Sequence, residues 1–144
     1  PADLRLPDSF TAPHVAMPGV LIVQGPPCHT QADSVRPSME RFCSFYDDSA
    51  ALNAFPLIII SDDSAFSART LNNFLWTTFT RSDPAQDVYG IASFTDNKHW
   101  GCRGALVIDA RRKPHHAPPL IDDPAMEKRV DALAAPGQVL HGII

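Results

Sequence analysis

The sequence has no apolar run near the roughly 20 residues needed to cross a bilayer, which argues against a spanning helix. Its first residues, Pro1-Ala2-Asp3, offer neither a basic start nor an apolar stretch, so no signal peptide is expected and a cytoplasmic domain is the default. Cysteine is scarce: Cys28, Cys43 and Cys102 are odd in number and widely spaced, which excludes a disulfide framework and fits a reducing compartment. There is no C-x2-C or H-E-x2-H spacing to announce a metal site and no glycine-rich loop to cradle a phosphate; Gly101-x2-Gly104 is too short and follows no strand-to-helix pattern. Internal repeats are absent. The net charge of −4 excludes a generally basic protein that coats nucleic acid.

What is present fits one compact domain over residues 1–144, long enough to bury a single core. Fourteen prolines, about twice the usual share, are spread along the chain and read as rigid turns rather than as a low-complexity tail. The missing initiator Met and the apolar ending Val139-Leu140-His141-Gly142-Ile143-Ile144 suggest a piece cut from a longer chain.

Phe55 to Leu120 organises the rest. Residues 1–19 read as extended loop, with Leu4-Arg5-Leu6 as a possible short edge strand. Val20-Leu21-Ile22-Val23 is the first strand, apolar on both faces. Asp33 or Ser34 can cap a helix with Pro37 in its first turn, and Met39, Phe42, Cys43 and Tyr46 form its buried stripe. Phe55 to Ile60 reads as a central strand covered on both sides, because three consecutive isoleucines leave no polar face. Asp62-Asp63-Ser64 caps the next helix, whose apolar spacing runs through Ala68, Leu71, Leu75, Thr78 and Phe79. A carboxylate pair directly after a buried strand is also where open α/β sheets place ligands.

Asp83-Pro84 starts a turn, Val88 to Phe94 is a strand in which Gly90 marks a bulge or close approach, residues 95–104 form a loop, and Ala105 to Ala110 is a further strand. No helix separates these last two strands, so they pair antiparallel. Asp123 with Pro124 opens a final helix to Leu133. The alternation predicts a three-layer α/β/α sandwich with a mixed β-sheet.

The chemistry-bearing groups gather late in the chain. Between Lys98 and His116 five cations (Lys98, Arg103, Arg111, Arg112, Lys113) face one anion, Asp109, leaving +4 there and −8 elsewhere. Such a patch suits a small anionic partner, or else is a solvated loop whose charges pair with carboxylates elsewhere. His99-x2-Cys102 with His115-His116 supplies four candidate zinc ligands, although adjacent histidines usually point apart in an extended segment. Cys102, beside Arg103 and near Lys98 and His99, sits where a thiolate is favoured, but no positioned base accompanies it and simple packing accounts for it as well. Trp100 reads as a hydrophobic anchor.

Trp76-Thr77-Thr78-Phe79-Thr80-Arg81-Ser82-Asp83-Pro84-Ala85-Gln86-Asp87 resembles the W-x3-T-R-x-[DN]-P-x2-D signature of the UbiD family of carboxy-lyases, named for the 4-hydroxy-3-polyprenylbenzoate decarboxylase of ubiquinone biosynthesis. Phe55 to Ile60 and Leu71 to Trp76 upstream, with Phe94 to Cys102 and Leu106 to Pro119 downstream, are similar to one branch of it; the match spans about residues 16–142. Nearer the ubiquinone enzyme, the Lys98–Cys102 knot and the double histidine differ. The resemblance implies only the C-terminal domain, an α/β unit that mediates oligomer assembly and closes over the active site. The family's prenylated FMN, its divalent metal ion and its Glu-Arg-Glu catalytic set would lie in N-terminal and middle domains, so this chain by itself is expected to bind no cofactor or metal and to be inactive.

Under this reading no catalytic residue is assigned. Lys98, His99, Cys102, Arg103, Lys113, His115 and His116 are pocket-facing candidates, and Trp76, Thr80, Arg81, Asp83, Pro84 and Asp87 are structural members of the signature, with Arg81 and Asp87 in polar pairs. The partners expected are the enzyme's own other domains, further copies of the chain and a small carboxylic acid, with no nucleic acid and no membrane span. The alternative is a stand-alone module that binds a small anion through Arg103, Arg111, Lys113 and the histidines.

Overall fold

The computed structural model describes residues 4–28, 35–118 and 123–143. Strands β1 (Thr11–Met17) and β2 (Val20–Gln24) form a hairpin, followed by α1 (Val35–Ser44), a 3-10 turn (Ala51–Ala54) and β3 (Leu57–Ser61). Two helices, α2 (Ser64–Arg69) and α3 (Leu71–Thr80), precede β4 (Val88–Gly90), β5 (Ser93–Asp96), β6 (His99–Cys102), β7 (Leu106–Asp109) and α4 (Pro124–Ala134).

The main sheet has the order β1-β2-β3-β7-β4. Its inner strands β2, β3 and β7 run parallel, and β1 and β4 close the two edges antiparallel. The mixed sheet and the antiparallel pairing of β4 with β7 follow the sequence reading. Ile58, Ile59 and Ile60 sit at the centre, opposite Leu21, Ile22 and Val23 on one side and Val107, Ile108 and Asp109 on the other.

Alternation along these strands divides the core between two faces. Leu21, Val23, Ile58, Ile60 and Val107 pack against Met39 and Phe42 of α1, with Leu52 and Phe10. Ile22 and Ile59 face the other way, against Phe74 of α3 and Ala68 of α2. Helices therefore cover both faces, giving the three-layer α/β/α arrangement. Burying each isoleucine completely contributes about 1.5–3 kcal/mol, which is why the isoleucine run holds the middle of the sheet.

The capping residues act as the sequence indicates. Asp63 accepts a hydrogen bond from the Phe66 N–H (2.8 Å), and Asp123 accepts from the Ala125 N–H (2.9 Å) with Pro124 in the first turn. The proposed caps Asp33 and Ser34 lie outside the described residues.

Several local expectations are corrected. Leu4-Arg5-Leu6 forms no strand; Leu4 and Leu6 instead pack against the core. The edge strand is β1, inside the stretch expected to be loop. It tolerates Pro13 because it lies at the sheet edge, with register shifts between Thr11 and His14 and between Val15 and Met17. The helix after Asp63 breaks at Thr70, which is extended (φ −144°, ψ 158°) and whose hydroxyl accepts from the Asn73 N–H to start α3 afresh. The restart shifts the helical phase, so Phe74, Thr77 and Thr78 are buried while Leu71, Leu75 and Phe79 face outward.

The strand from Val88 ends at Gly90, and the expected loop 95–104 is largely the antiparallel β5–β6 hairpin. Its turn places Asn97 and Lys98 at φ 48° and 68°, the geometry a two-residue hairpin demands. Gly90 is a close approach, as expected: any side chain there would collide with Cys102.

Candidate functional site

β3 and β7 lie side by side and parallel, so the segments that leave their carboxyl ends, Asp62-Asp63 and Arg111-Arg112-Lys113, emerge together. That edge is where open α/β sheets form ligand crevices. The two aspartates after β3 divide the work: Asp63 caps α2, and Asp62 turns to the site. Its Oδ2 accepts from the Arg81 guanidinium (3.0 Å) and from the Arg112 N–H (2.8 Å). The Arg81 guanidinium also lies over the Trp76 ring, 4.9 Å from its centroid, so it is fixed from two sides.

Beneath this surface lies a buried ionic layer. Arg111 is fully buried, and its Nε and one terminal nitrogen donate to the two oxygens of Asp109, both at 2.8 Å. Its remaining donors reach the Pro26 carbonyl and the Ser38 hydroxyl, both at 2.9 Å. Burial works against the charge, but the Asp109 carboxylate outweighs it and raises the Arg111 pKa further above its ordinary value. Lys113 is also buried. Its ammonium stands 3.1 Å from Asp87 and donates to the carbonyls of Arg81 (2.9 Å) and Asp109.

This geometry explains the signature segment. Asp87 accepts from the Asp83 N–H (2.7 Å) while holding Lys113. Asp83 in turn closes the turn at Pro84, accepting from the Ala85 N–H through its side chain and from the Gln86 and Asp87 N–H groups through its carbonyl. The Thr80 hydroxyl donates back to the Trp76 carbonyl (2.6 Å). Trp76, Thr80, Arg81, Asp83, Pro84 and Asp87 thus bind the end of α3 to the carboxyl ends of β3 and β7.

The seven pocket candidates do not form one cluster. Lys98 and His99 are exposed at the tip of the β5–β6 hairpin. Arg103 lies over the Phe94 ring at 5.6 Å. Cys102 is half-buried against Gly90, and burial pushes its thiol up, so the thiolate suggested by its basic neighbours is not favoured. Lys113 is buried in the ionic layer. His115 is exposed, its ring 4.6 Å from that of half-buried His116. His116 Nδ1 accepts from the Lys113 N–H (3.1 Å), which leaves Nε2–H as the ring's donor. Burial first, then the proximity of His115 and Lys113, lowers the His116 pKa below its ordinary 6.5.

Sequence reasoning missed Asp62 as an ion-pair partner, Asp109 as the counterion of Arg111, and Cys28. The Cys28 thiol is buried, donates to the Arg112 carbonyl (3.3 Å), and is pushed up to about 11 chiefly by that burial. The basic stretch is accordingly much less of a surface patch than its sequence suggested. Arg111 and Lys113 are consumed internally and cannot serve an anion-binding module. Among the described residues, no three His, Cys, Asp or Glu side chains converge as a metal site, and no helix is long and apolar enough to cross a membrane.

Two hollows remain. One of about 480 Å³ lies between α1 and the region of β4, lined in part by Arg36, Glu40, Tyr46, Tyr89 and Trp100. The other, about 360 Å³, opens at the carboxyl edge between Trp76, Arg81, Arg112, His116, Ala117 and Pro118. The second holds the convergent polar groups expected of a binding site.

No family model matches the chain. It is 33% identical over 79 residues to a subunit of the 4-hydroxybenzoate decarboxylase of Chlamydia pneumoniae, a match covering 55% of this chain and 14% of that protein. It is 31% identical over 81 residues to an uncharacterized protein of Chlamydia muridarum, again 14% of the relative. The matched segments thus span about a seventh of the curated relatives' length. Among solved structures, the vanillic acid decarboxylase of Sedimentibacter hydroxybenzoicus in open form superposes with a TM-score of 0.45 at 14% identity, over 80% of this chain and 27% of that one, too distant a likeness to carry weight. Over about half of its length, the chain is thus similar in sequence to a short part of a 4-hydroxybenzoate decarboxylase subunit.

Proposed function

We propose that this chain is the C-terminal assembly and active-site-closing domain of a UbiD-like enzyme that decarboxylates an aromatic or unsaturated acid non-oxidatively, using prenylated FMN and a divalent metal ion held by other domains. The observation that carries this reading is the 33% identity to part of a known decarboxylase. The internal use of the signature residues supports it, since Arg81, Asp87 and their partners build a rigid edge rather than a catalytic set.

The residues of this chain do not fit the flavin themselves. The buried guanidinium and ammonium at the carboxyl edge are already satisfied by Asp109 and Asp87. At Gly25, where a close backbone approach to a phosphate is conceivable, a Cβ would stand 2.5 Å from Ile60 and 2.8 Å from Arg111, so the space is filled by the protein itself. No residue is therefore assigned to the flavin or the metal.

Two outward apolar faces support the assembly role. Helix α4 exposes Met126, Val130 and Leu133 at helical spacing, and none of its residues is buried. Helix α3 exposes Leu71, Leu75 and Phe79. Apolar stripes of this kind fit burial against further protein, either the enzyme's own domains or a second copy of the chain.

The test is a comparison of CO2 release from a panel of aromatic and unsaturated acids, supplied with prenylated FMN and a divalent metal, by this chain and by the protein encoded by its whole reading frame. The longer protein is expected to release CO2 and the chain alone none. Sustained release by the isolated chain, or none by the longer protein on any acid, overturns the proposal.

A further inference from the structure

The hollow of about 480 Å³ between α1 and the region of β4 is a separate compartment, sharing no lining residue with the one at the carboxyl edge. Its aromatic wall depends on Gly90. A Cβ there would stand 3.2 Å from the Trp100 ring and would collide with Cys102, so only glycine lets the indole lie against β4. Trp100 lines the hollow and is still 50% exposed. A tryptophan gains by being covered, so one left half open beside a cavity is available to a ligand. Tyr46 and Tyr89 line the same space.

The lining carries one charge of each sign, and neither is spent on the fold. Arg36 and Glu40 stand one turn apart on α1 at 4.0 Å, too far for a hydrogen bond, with side chains 70% and 61% exposed. An exposed pair of this kind contributes little to stability. A lone cation in the hollow would be repelled by Arg36, and a lone anion by Glu40. The balance therefore selects a ligand with no net charge that carries both signs a short distance apart. Aromatic faces favour the cationic end. An ammonium with three N–H groups needs three acceptors, whereas a quaternary nitrogen needs none and is satisfied by ring faces.

We infer that this hollow binds a small betaine, a quaternary ammonium joined by a short linker to an anionic group, with Trp100 and Tyr89 around the cation beside Glu40 and with Arg36 holding the anion. The inference rests on this chain's own residues and not on the decarboxylase reading, so the two fail separately.

Glycine betaine is the probe. Calorimetric titration of the 144-residue chain at fixed ionic strength, with the Trp100 indole N–H followed by NMR, is expected to show saturable binding and a shift of that signal. Two half-ligands serve as controls: tert-butylacetate keeps the anion and replaces the charged nitrogen with carbon, and choline keeps the cation without the carboxylate. Each should bind at least about tenfold more weakly than betaine. Arg36→Gln should weaken betaine by about tenfold and leave choline unweakened, whereas Glu40→Gln should weaken both. Trp100→Leu should lower betaine affinity by about tenfold with the melting temperature unchanged, since the ring is half exposed. Absence of saturable betaine binding, a half-ligand that binds as well as betaine, or an unweakened Trp100→Leu each overturns the inference. If Trp100→Leu does not fold, the two charge variants decide, both at exposed side chains: an Arg36→Gln that weakens betaine and choline alike, or weakens neither, overturns it as well.

Discussion

The Asp109–Arg111 pair offers the sharpest test of how this domain is held together. Both side chains are fully excluded from solvent, and they meet through two hydrogen bonds of 2.8 Å. Replacing Asp109 with Asn preserves the shape but leaves a guanidinium buried without its counterion. Replacing Arg111 with Met strands the carboxylate, although Lys113 at 3.9 Å offers some compensation. Breaking a buried pair on one side costs about 3–5 kcal/mol. That is a large part of the roughly 5–15 kcal/mol that keeps a domain folded. At about 4 °C per kcal/mol, Asp109→Asn should lower the melting temperature by roughly 12–20 °C.

The double variant Asp109→Leu/Arg111→Met separates the pair's attraction from the cost of burying it. Removing both charges together should recover most of the loss from Asp109→Asn, because a buried pair contributes little net stability over apolar groups of similar size. Urea denaturation of the parent, Asp109→Leu, Arg111→Met and the double closes the cycle, with Asp109→Asn measured beside it. The reasoning fails if Asp109→Asn costs less than about 1 kcal/mol, or if the double is as unstable as the sum of its singles. The Pro26 carbonyl and Ser38 hydroxyl lose their donors in the double, so recovery should be incomplete.

Two further perturbations test smaller features. The Thr78 hydroxyl is buried and has no hydrogen-bond partner among the described residues, so Thr78→Val should stabilise the chain by about 1 kcal/mol; a loss in urea denaturation would show that the hydroxyl is satisfied. His116 has a folded pKa below its ordinary 6.5, so the unfolded chain binds the proton more readily and stability rises with pH. Its contribution is complete above about 6.5 and is lost as pH falls through the lower folded value, where Nδ1 can no longer accept from Lys113. His116→Gln should flatten that acid limb of a stability-versus-pH curve, and an unchanged limb would assign it to other groups.

Much of the architecture was legible because it depends on patterns that tolerate no alternative. Three consecutive isoleucines can only be satisfied with cover on both faces, and Asp63 and Asp123 sit where a helix start needs an acceptor. The failures occur where one residue changes the phase of a pattern. Thr70 is an ordinary helix residue by composition, but its hydroxyl caps α3 as effectively as Asp63 caps α2. Restarting the helix there turned Leu71, Leu75 and Phe79 outward, reversing the burial read from an unbroken repeat. Pro13 likewise hid β1, since proline argues against a strand unless the strand is known to lie at an edge.

The candidate site was less legible because ionic partners are chosen in space. Asp87 and Lys113 lie far apart in sequence, and nothing local says that they meet at 3.1 Å. Spacing placed five cations together and suggested a surface, whereas the fold draws Arg111 and Lys113 inward and leaves Arg112 at the hollow. The i, i+2 spacing of Asp109 and Arg111 is the one local signal available, since alternate residues leaving a strand share a face. The same alternation sends Arg112 to the opposite side. One run of three basic residues therefore supplies two buried struts and one guanidinium that borders the hollow at the sheet's carboxyl edge.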